Sequence, residues 1–184
     1  MTARLMLRPY RMDDFDALYD LRSRPDVMRY LYLGVHDRDQ VRESLQAKIQ
    51  AAVLKDEGGC LTPAVVLRET GTLIGDVMLR WISREHQQGE IGYVVHPDHA
   101  GKGYATEAAE VMLRLGFEEL GLHRIIGCID ARNTASGRVL ERLGMRREAH
   151  LMQNEFVKGE WTDETVYALL QDEWRSRAEP LTET

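Results

Sequence analysis

The sequence predicts an α+β domain built on a mixed, mostly antiparallel sheet of about seven strands with helices on both faces. Two observations predict it. The chain has 184 residues, the usual size of one domain. Its hydrophobic pattern alternates between strand and helix periods in the order β, α, α, β, β, β, α, β, α, β, β. We assign residues 1–174 to this domain and expect the charged tail, residues 175–184, to be frayed.

The first third of the chain predicts one strand followed by helices. Residues 4–9 alternate polar and apolar side chains and form the strand, which ends at Pro9. Asp13 or Asp14 can cap a helix through residue 21, and a short helix covers residues 25–30. A longer helix follows residue 37 or 39, because apolar residues recur there at helical spacing: Val41, Leu45, Ile49, Ala52 and Val53.

The middle of the chain predicts an antiparallel meander, and the last part alternates helices and strands. Strand signals cover residues 61–68, 73–82 and 90–95, with turns between them. Small and apolar residues then recur at helical spacing over residues 105–117. The remaining elements are a strand at 124–130, a helix from Asn133 to Leu143, and strands at 146–156 and 165–170.

A glycine-rich loop joins the strand that ends at Val95 to the following helix. Gly101 and Gly103 carry no side chain that would cover the backbone N–H groups, and Thr106 can add a hydroxyl. A helix N-terminus with bare amides binds phosphate. Neither a Walker loop nor a dinucleotide fingerprint fits this spacing. A turn that only connects strand to helix remains the alternative.

Composition narrows the choice of partners. The net charge of −6 argues against a broad nucleic-acid surface, so local donors must hold any phosphate. No apolar run reaches membrane-spanning length, and no signal-peptide core is present, so we expect a cytoplasmic protein without a membrane partner. Cys60 and Cys128 are expected to be buried, reduced thiols. The histidines lack ligand spacing, so we expect no metal site.

Several separated motifs resemble the GNAT-type N-acetyltransferases, and within them the RimJ/RimL-type branch, which acetylates protein N-termini and other amines. The motifs cover nearly the whole chain and occur in the family's order. They are Glu90–Tyr93, Gly101–Ala108, Asn133–Ser136, Leu140–Met145 and Lys158–Trp161, together with the openings Leu5–Pro9 and Arg24–Leu31.

The resemblance implies acetyl-CoA as co-substrate and a sheet splayed between the fourth and fifth strands, which end at Val95 and Asp130. The pantetheine arm would lie in that gap, and the pyrophosphate would sit on the glycine loop. Lys102 and Arg138 could meet phosphates, or could be solvated. The implied cofactor-binding residues are Val94, Val95, Gly101, Lys102, Gly103, Tyr104, Ala105, Thr106, Asn133, Ser136 and Arg138.

Three departures from the family pattern affect these roles. Ala100 stands where Arg or Gln is frequent, which removes one side-chain contact to phosphate. Leu140 stands where many members carry the tyrosine that protonates the departing thiolate. Ser136, which matches the RimJ/RimL pattern, is therefore the better candidate acid. Met145 replaces a frequent phenylalanine, which changes packing only.

Glu90 is the candidate general base, because it begins the strand beside the expected cleft and could accept a proton through water. The alternatives are a solvated strand carboxylate for Glu90, a first-turn helix residue for Ser136 and a helix N-cap for Asn133. Aromatic residues that could line the acceptor pocket, or belong to the core, are Tyr30, Tyr32, Trp81 and Tyr93.

These observations predict an acetyl-CoA-dependent N-acetyltransferase that transfers the acetyl group directly to an amine. A protein N-terminal α-amine needs less help from a base than a lysine, because its pKa is about 7.7–8.0 rather than about 10.4. The alternatives are a small-molecule acceptor, such as an antibiotic or a polyamine, and a catalytically silent acyl-CoA-binding domain. We expect a monomer or a homodimer.

Overall fold

A mixed sheet of eight strands organises the chain in a computed structural model, which describes residues 2–177. Its order is β1-β3-β4-β5-β6-β8-β7, with β2 paired to β4. Every strand pair is antiparallel except β5–β6. The strands are β1 (Leu5–Arg8), β2 (Cys60–Leu61), β3 (Ala64–Leu67), β4 (Leu73–Ser83), β5 (Gln88–Val95), β6 (Arg124–Asp130), β7 (Arg146–Val157) and β8 (Glu160–Leu170).

The predicted strand at residues 61–68 is divided into two in the structure. Residues 62 and 63 belong to neither β2 nor β3. Pro63 has no N–H to donate to a neighbouring strand, which explains the interruption. β8 begins five residues earlier than predicted, because its exposed first residues, Glu160 and Trp161, lack the apolar alternation that marks its buried end.

Over residues 2–177, six α-helices accompany the sheet: α1 (Phe15–Arg22), α2 (Pro25–Met28), α3 (Arg38–Gln50), α4 (Tyr104–Arg114), α5 (Thr134–Arg142) and α6 (Gln171–Ser176). Asp37 caps α3 by accepting hydrogen bonds from the amides of Asp39 and Gln40. A π-helical turn, Leu115–Glu119, extends α4. The sequence did not predict α6, which includes the first two residues of the predicted tail. Residues 178–184 of that tail lie outside the described residues.

The sheet is covered on both faces, as predicted. On one face, Val77 and Leu79 of β4 belong to a buried cluster with small and apolar residues of α4, including Ala109 and Leu113. A second cluster joins α1, α3 and β3, with buried side chains at Leu18, Val41, Leu45 and Val66. Apolar burial on both faces holds the sheet in place.

The parallel pair β5–β6 is short. Its register contains three residue pairs, Gln88↔Arg124, Gly89↔Ile125 and Glu90↔Ile126. Beyond these pairs, β5 continues to Val95 and β6 to Asp130, and the two strands no longer pair with each other. The predicted splay between these two strands is therefore confirmed.

Within residues 2–177, no helix combines the length and the apolar character needed to cross a membrane. Cys60 and Cys128 are unpaired and half-buried.

Candidate active site

The parting of β5 and β6 opens into a cavity of about 490 Å³. β4 and β5 form one wall, the end of β6 and the start of α5 form another, and the segment after α2 closes a third side. Seven residues predicted from the sequence line it together: Tyr30, Tyr32, Glu90, Tyr93, Val94, Asn133 and Ser136.

Strand alternation selects which residues of β4 face the cavity. Asp76, Met78 and Arg80 share one face, whereas Val77 and Leu79 face the core on the other side. In the antiparallel register these three residues lie opposite Val94, Gly92 and Glu90 of β5. The wall is therefore polar at both ends and apolar in the middle.

Gly92 has a packing role in this wall. A Cβ at this position would lie 3.1 Å from Met78 Cε and 3.2 Å from Met78 Cγ. The glycine therefore leaves room for a cavity-lining methionine, in agreement with the close approach expected of a glycine within a strand.

Glu90 lies at the closed end of the splay, where its side chain is 19% exposed. Burial raises the pKa of Glu90, the Arg80 guanidinium lowers it, and Glu164 raises it, with a net upward shift. Arg80 Nη1 is 3.6 Å from Glu90 Oε2. A carboxylate with a raised pKa holds a proton more readily, as a general base must.

Ser136 is paired with Tyr93 across the cavity. Ser136 Oγ donates to Tyr93 Oη over 3.0 Å, and Tyr93 Oη donates to the Ser136 carbonyl over 2.8 Å. Burial raises the pKa of Tyr93 well above its ordinary value. Tyr93 is therefore a neutral hydroxyl that orients Ser136, in addition to lining the cavity.

Leu140, which stands where the resemblance places a tyrosine, is 1% exposed. A Cβ on Gly127 would lie 2.8 Å from Leu140 Cδ2, so the leucine packs directly on the backbone of β6. Its methyl groups carry no proton for transfer, and Ser136 is the nearby hydroxyl on the same helix.

Asn133 is a helix N-cap, one of the two interpretations that the sequence left open. Its Oδ1 accepts a hydrogen bond from the Ser136 amide over 3.1 Å, which makes it the N-cap of α5. It also lines the cavity. Arg138, on the same helix, is exposed.

The glycine loop has the backbone conformation of an anion-binding turn. Gly101 and Gly103 have φ values of 74° and 80°, in the left-handed region that favours glycine. Gly103 is the N-cap of α4, and among the described residues no side chain caps this end. Thr106 Oγ1 is buried and has no hydrogen-bond partner within residues 2–177. These groups are the donors that a pyrophosphate requires.

Arg4, which the sequence analysis did not single out, supports this loop from β1's N-terminal side. Its Nη1 donates to the Lys102 carbonyl over 3.0 Å, and its Nε donates to Glu107 Oε2 over 2.7 Å. Its guanidinium also lies 4.7 Å from the Tyr104 ring centroid. Lys102 Nζ donates to the Asp98 carbonyl over 3.0 Å, so it contributes to the loop's own hydrogen bonding.

Trp81 and Val95 lie away from the cavity. Trp81 packs against the core on the other face of β4, and its Nε1 donates to the Ser83 carbonyl over 3.3 Å. The residue on the cavity face is its neighbour Arg80. Val95 pairs with Gly75 at the end of β5.

A buried charge cluster in the cavity wall was missed by the sequence analysis. Asp76 Oδ2 accepts from Tyr10 Oη over 3.0 Å and from Arg22 Nη2 over 2.7 Å, and Lys48 Nζ is 3.2 Å away. Although burial raises the pKa of Asp76, Arg22 and Lys48 hold it well below its usual range. The available signal was an aspartate within the otherwise apolar strand segment Ile74–Val77, which requires partners when buried.

Comparison with known proteins agrees with this geometry. Residues 4–146 match the family described as the acetyltransferase (GNAT) domain. The chain belongs to the GNAT family. It is 37% identical over 174 residues to the uncharacterized N-acetyltransferase YnaD of Bacillus subtilis, covering 94% of this chain and 97% of that protein.

Solved GNAT structures share the fold. An acetyltransferase from Bacillus anthracis superposes with a TM-score of 0.84 at 34% identity, covering 94% of this chain and 98% of that chain. A spermidine N-acetyltransferase from Vibrio cholerae, solved with CoA and spermine, gives 0.79 at 24% identity, covering 95% and 99%.

The predicted GNAT fold and N-acetyltransferase activity are thus confirmed.

Proposed function

We propose that this GNAT enzyme transfers the acetyl group of acetyl-CoA directly to an α-amine held in the cavity, in the manner of the RimJ/RimL-type branch. The observation that supports this most strongly is that Glu90 and Ser136, the candidate base and acid, line one cavity at the parting of β5 and β6. A base and an acid on opposite sides of one cavity suit a single acyl transfer between two bound reactants.

The co-substrate side of the proposal uses the glycine loop and the splay. Backbone amides from Gly101 to Thr106, with the unpartnered Thr106 hydroxyl, would bind the pyrophosphate. The unpaired edge of β5 near Val94 would bind the pantetheine arm, and Asn133 would contact it from α5. Bound acetyl-CoA supplies the activated acyl group as a thioester.

The proposed transfer begins with the neutral amine, whose nitrogen forms a bond to the thioester carbon. The carbon–sulfur bond breaks, and the electron pair leaves with the thiolate. Glu90, four residues along β5 from Val94, accepts the amine proton through a chain of water molecules, and Ser136 donates a proton to the thiolate. The proton held by Glu90 then returns through water to Ser136, so both groups are regenerated. Roughly a tenth of an α-amine is already neutral near pH 7, so a single carboxylate is an adequate base.

A second candidate acceptor is a polyamine. Glu90 and Asp130 line the cavity, and Glu164 accepts a hydrogen bond from Tyr32 Oη over 2.7 Å at its edge. Carboxylates of this kind attract a cationic chain. The structurally similar Vibrio cholerae enzyme was solved with spermine.

The test is thiol release from acetyl-CoA with an alanine-first peptide, the same peptide already acetylated at its N-terminus, and spermidine. We expect the free α-amine to give a kcat/KM at least about tenfold above that of spermidine. The blocked peptide is the control for hydrolysis. Preference for spermidine would support the polyamine alternative, and CoA binding without turnover on any amine would support a silent binding domain.

A further inference from the structure

Two cations meet one carboxylate in the wall of the acceptor cavity. Arg22 is 9% exposed and Asp76 is 4% exposed, while the Lys48 side chain is 15% exposed. All three line the cavity. Asp76 uses a single oxygen, Oδ2, for its contacts with both cations. Burying an unbalanced cation costs free energy, so this arrangement needs an explanation.

The cluster carries one uncompensated positive charge. Asp76 contributes one negative charge against the two positive charges of Arg22 and Lys48. Tyr10, the remaining polar partner, stays neutral because burial and the neighbouring Asp76 raise its pKa. His36, whose backbone N–H donates to the Arg22 carbonyl over 3.1 Å, has its pKa lowered by burial and by the Arg22 guanidinium, so it adds no further positive charge.

The other cavity carboxylates do not balance this charge. Glu90 lies opposite Arg80 in the strand register, four residues along β4 from Asp76, which corresponds to about 13 Å. Asp130 is paired with Arg132 at 2.7 Å. In the described part of the chain, the hydrogen bond that Arg22 makes through its guanidinium is the one from Nη2 to Asp76. Its Nε and Nη1 therefore have no hydrogen-bond partner within residues 2–177, and Arg22 lines the cavity.

We propose that Arg22 and Lys48 form an anion subsite that binds a carboxylate of the acceptor, so that the acceptor carries its amine and a carboxylate in one molecule. The inference rests on the proposed function, since it assumes that the amine occupies this cavity. The proposed acceptor is therefore an amino carboxylic acid. A guanidinium group binds a carboxylate through charge-assisted hydrogen bonds of defined geometry, which selects for this class of substrate.

The position of the subsite limits the length of the acceptor. Asp76 lies directly opposite Val94 in the sheet, and the β5 edge near Val94 is where the proposed function places the pantetheine arm that carries the thioester. Neighbouring strands are only about 5 Å apart. The amine and the carboxylate are therefore separated by a short chain. Both a free amino acid and a peptide with an acidic side chain next to its N-terminus have this chemistry.

The experiment measures binding to the CoA-loaded protein by calorimetry, which does not depend on turnover. The probes are β-alanine and its amide, and an alanyl-aspartyl peptide amide and its asparaginyl counterpart. We expect each acid to bind the wild-type protein at least about tenfold more tightly than its uncharged partner. The acid that binds more tightly identifies the source of the carboxylate.

The variants Arg22→Gln and Lys48→Gln should each remove this preference and leave the uncharged probes unaffected. Arg24→Gln and Arg42→Gln are the matched controls. Arg24 pairs with Asp26 and Arg42 with Asp39 on exposed surfaces. Both controls should retain the wild-type preference. Thermal unfolding shows whether each variant is folded. If Arg22→Gln does not fold, the binding data for Lys48→Gln decide the outcome.

Equal binding of acids and uncharged partners to the wild-type protein would overturn the inference. So would a preference that survives in Lys48→Gln. Thiol release is measured in parallel with the same probes. If no probe is acetylated but the carboxylate preference is present and lost in the variants, the anion subsite stands and the proposed acetyl acceptor fails.

Discussion

Ser136 Oγ donates a hydrogen bond to Tyr93 Oη over 3.0 Å, which ties the first turn of α5 to β5 across the cavity. The return bond from Tyr93 to the Ser136 carbonyl fixes the same pair from the backbone side. The serine is thereby held where a departing thiolate is expected, and the tyrosine acts as its support.

Replacing the two hydroxyls separately should distinguish their roles. Ser136→Ala should lower kcat by about 10²-fold or more, because the thiolate loses its proton donor. Tyr93→Phe retains the ring and should lower stability by about 1 kcal/mol through the lost hydrogen bonds, with less than about a tenfold loss of kcat. The measurements are steady-state kinetics and urea unfolding. A larger kinetic loss in Tyr93→Phe than in Ser136→Ala would reverse the assignment.

Glu90→Gln should lower kcat/KM by about 10²–10⁴-fold and remove the acidic limb of its pH profile. In the wild-type protein that limb should lie above the pKa of an ordinary glutamate, because burial raises the pKa of Glu90. Kinetics from pH 5 to 9 with one α-amine acceptor measure both effects. Arg80→Gln is a useful comparison: removing the guanidinium that lowers the Glu90 pKa should move the limb to higher pH. An unchanged profile in Glu90→Gln would exclude it as the base.

Glu90→Gln should also unfold at a higher urea concentration than the wild type at pH 7. A carboxyl whose folded pKa exceeds its unfolded pKa favours folding while protonated, and this contribution is lost as pH rises through the folded pKa. The glutamine side chain of the variant does not ionise, so the variant does not lose this stability as pH rises. Unfolding curves at pH 4.5 and pH 7 should therefore differ less for the variant than for the wild-type protein. A pH dependence equal to that of the wild type would contradict the raised pKa.

Gly103→Val should weaken CoA binding by more than about tenfold. A β-branched residue at a φ of 80° is strained by about 1–2 kcal/mol, and a Cβ there would lie 3.5 Å from Arg4 Nη2. The matched control is Gly121→Val, since Gly121 also has a positive φ but has nothing within 4 Å of its Cβ position. Calorimetry with CoA should show normal affinity for the control. Normal affinity in Gly103→Val would refute the loop assignment.

Asp76→Asn should destabilise the protein by about 3–5 kcal/mol, because two buried cations lose their counter-charge. The pKa of Asp76 lies well below its unfolded value, so its contribution is present above about pH 4 and is lost as pH falls further. Urea unfolding at pH 7 and pH 3 should therefore show a smaller pH dependence in the variant. Wild-type stability at pH 7 in Asp76→Asn would contradict the role of the cluster.

The order of elements could be predicted from the sequence because it depends on local signals, whereas the splay was implied by the resemblance of the motifs to the GNAT family. Hydrophobic period, turn residues and the motif positions at Glu90, Gly101 and Asn133 are all readable within short windows. It was harder to predict which side chains of a strand point to which face of the sheet. Trp81 is adjacent to the cavity-lining Arg80 in sequence, yet strand alternation directs it to the core.

Contacts between distant residues could not be predicted. Arg4 reaches Lys102 across 98 positions, and Arg22 reaches Asp76 across 54. No spacing rule links side chains that far apart, because their meeting depends on how β1 and α1 pack in three dimensions. The buried aspartate was visible in β4, but its partners on α1 and α3 were not.

The three residue pairs between β5 and β6 are the backbone pairing that joins the two halves of the sheet, β1–β5 and β6–β8. In the proposed binding mode, the amide groups of the co-substrate would hydrogen-bond to the backbone groups of β5 and β6 that have no partner in the opening. Filling the gap should consequently stiffen the entire enzyme, and hydrogen exchange along both strand edges should slow far beyond the atoms that the ligand touches.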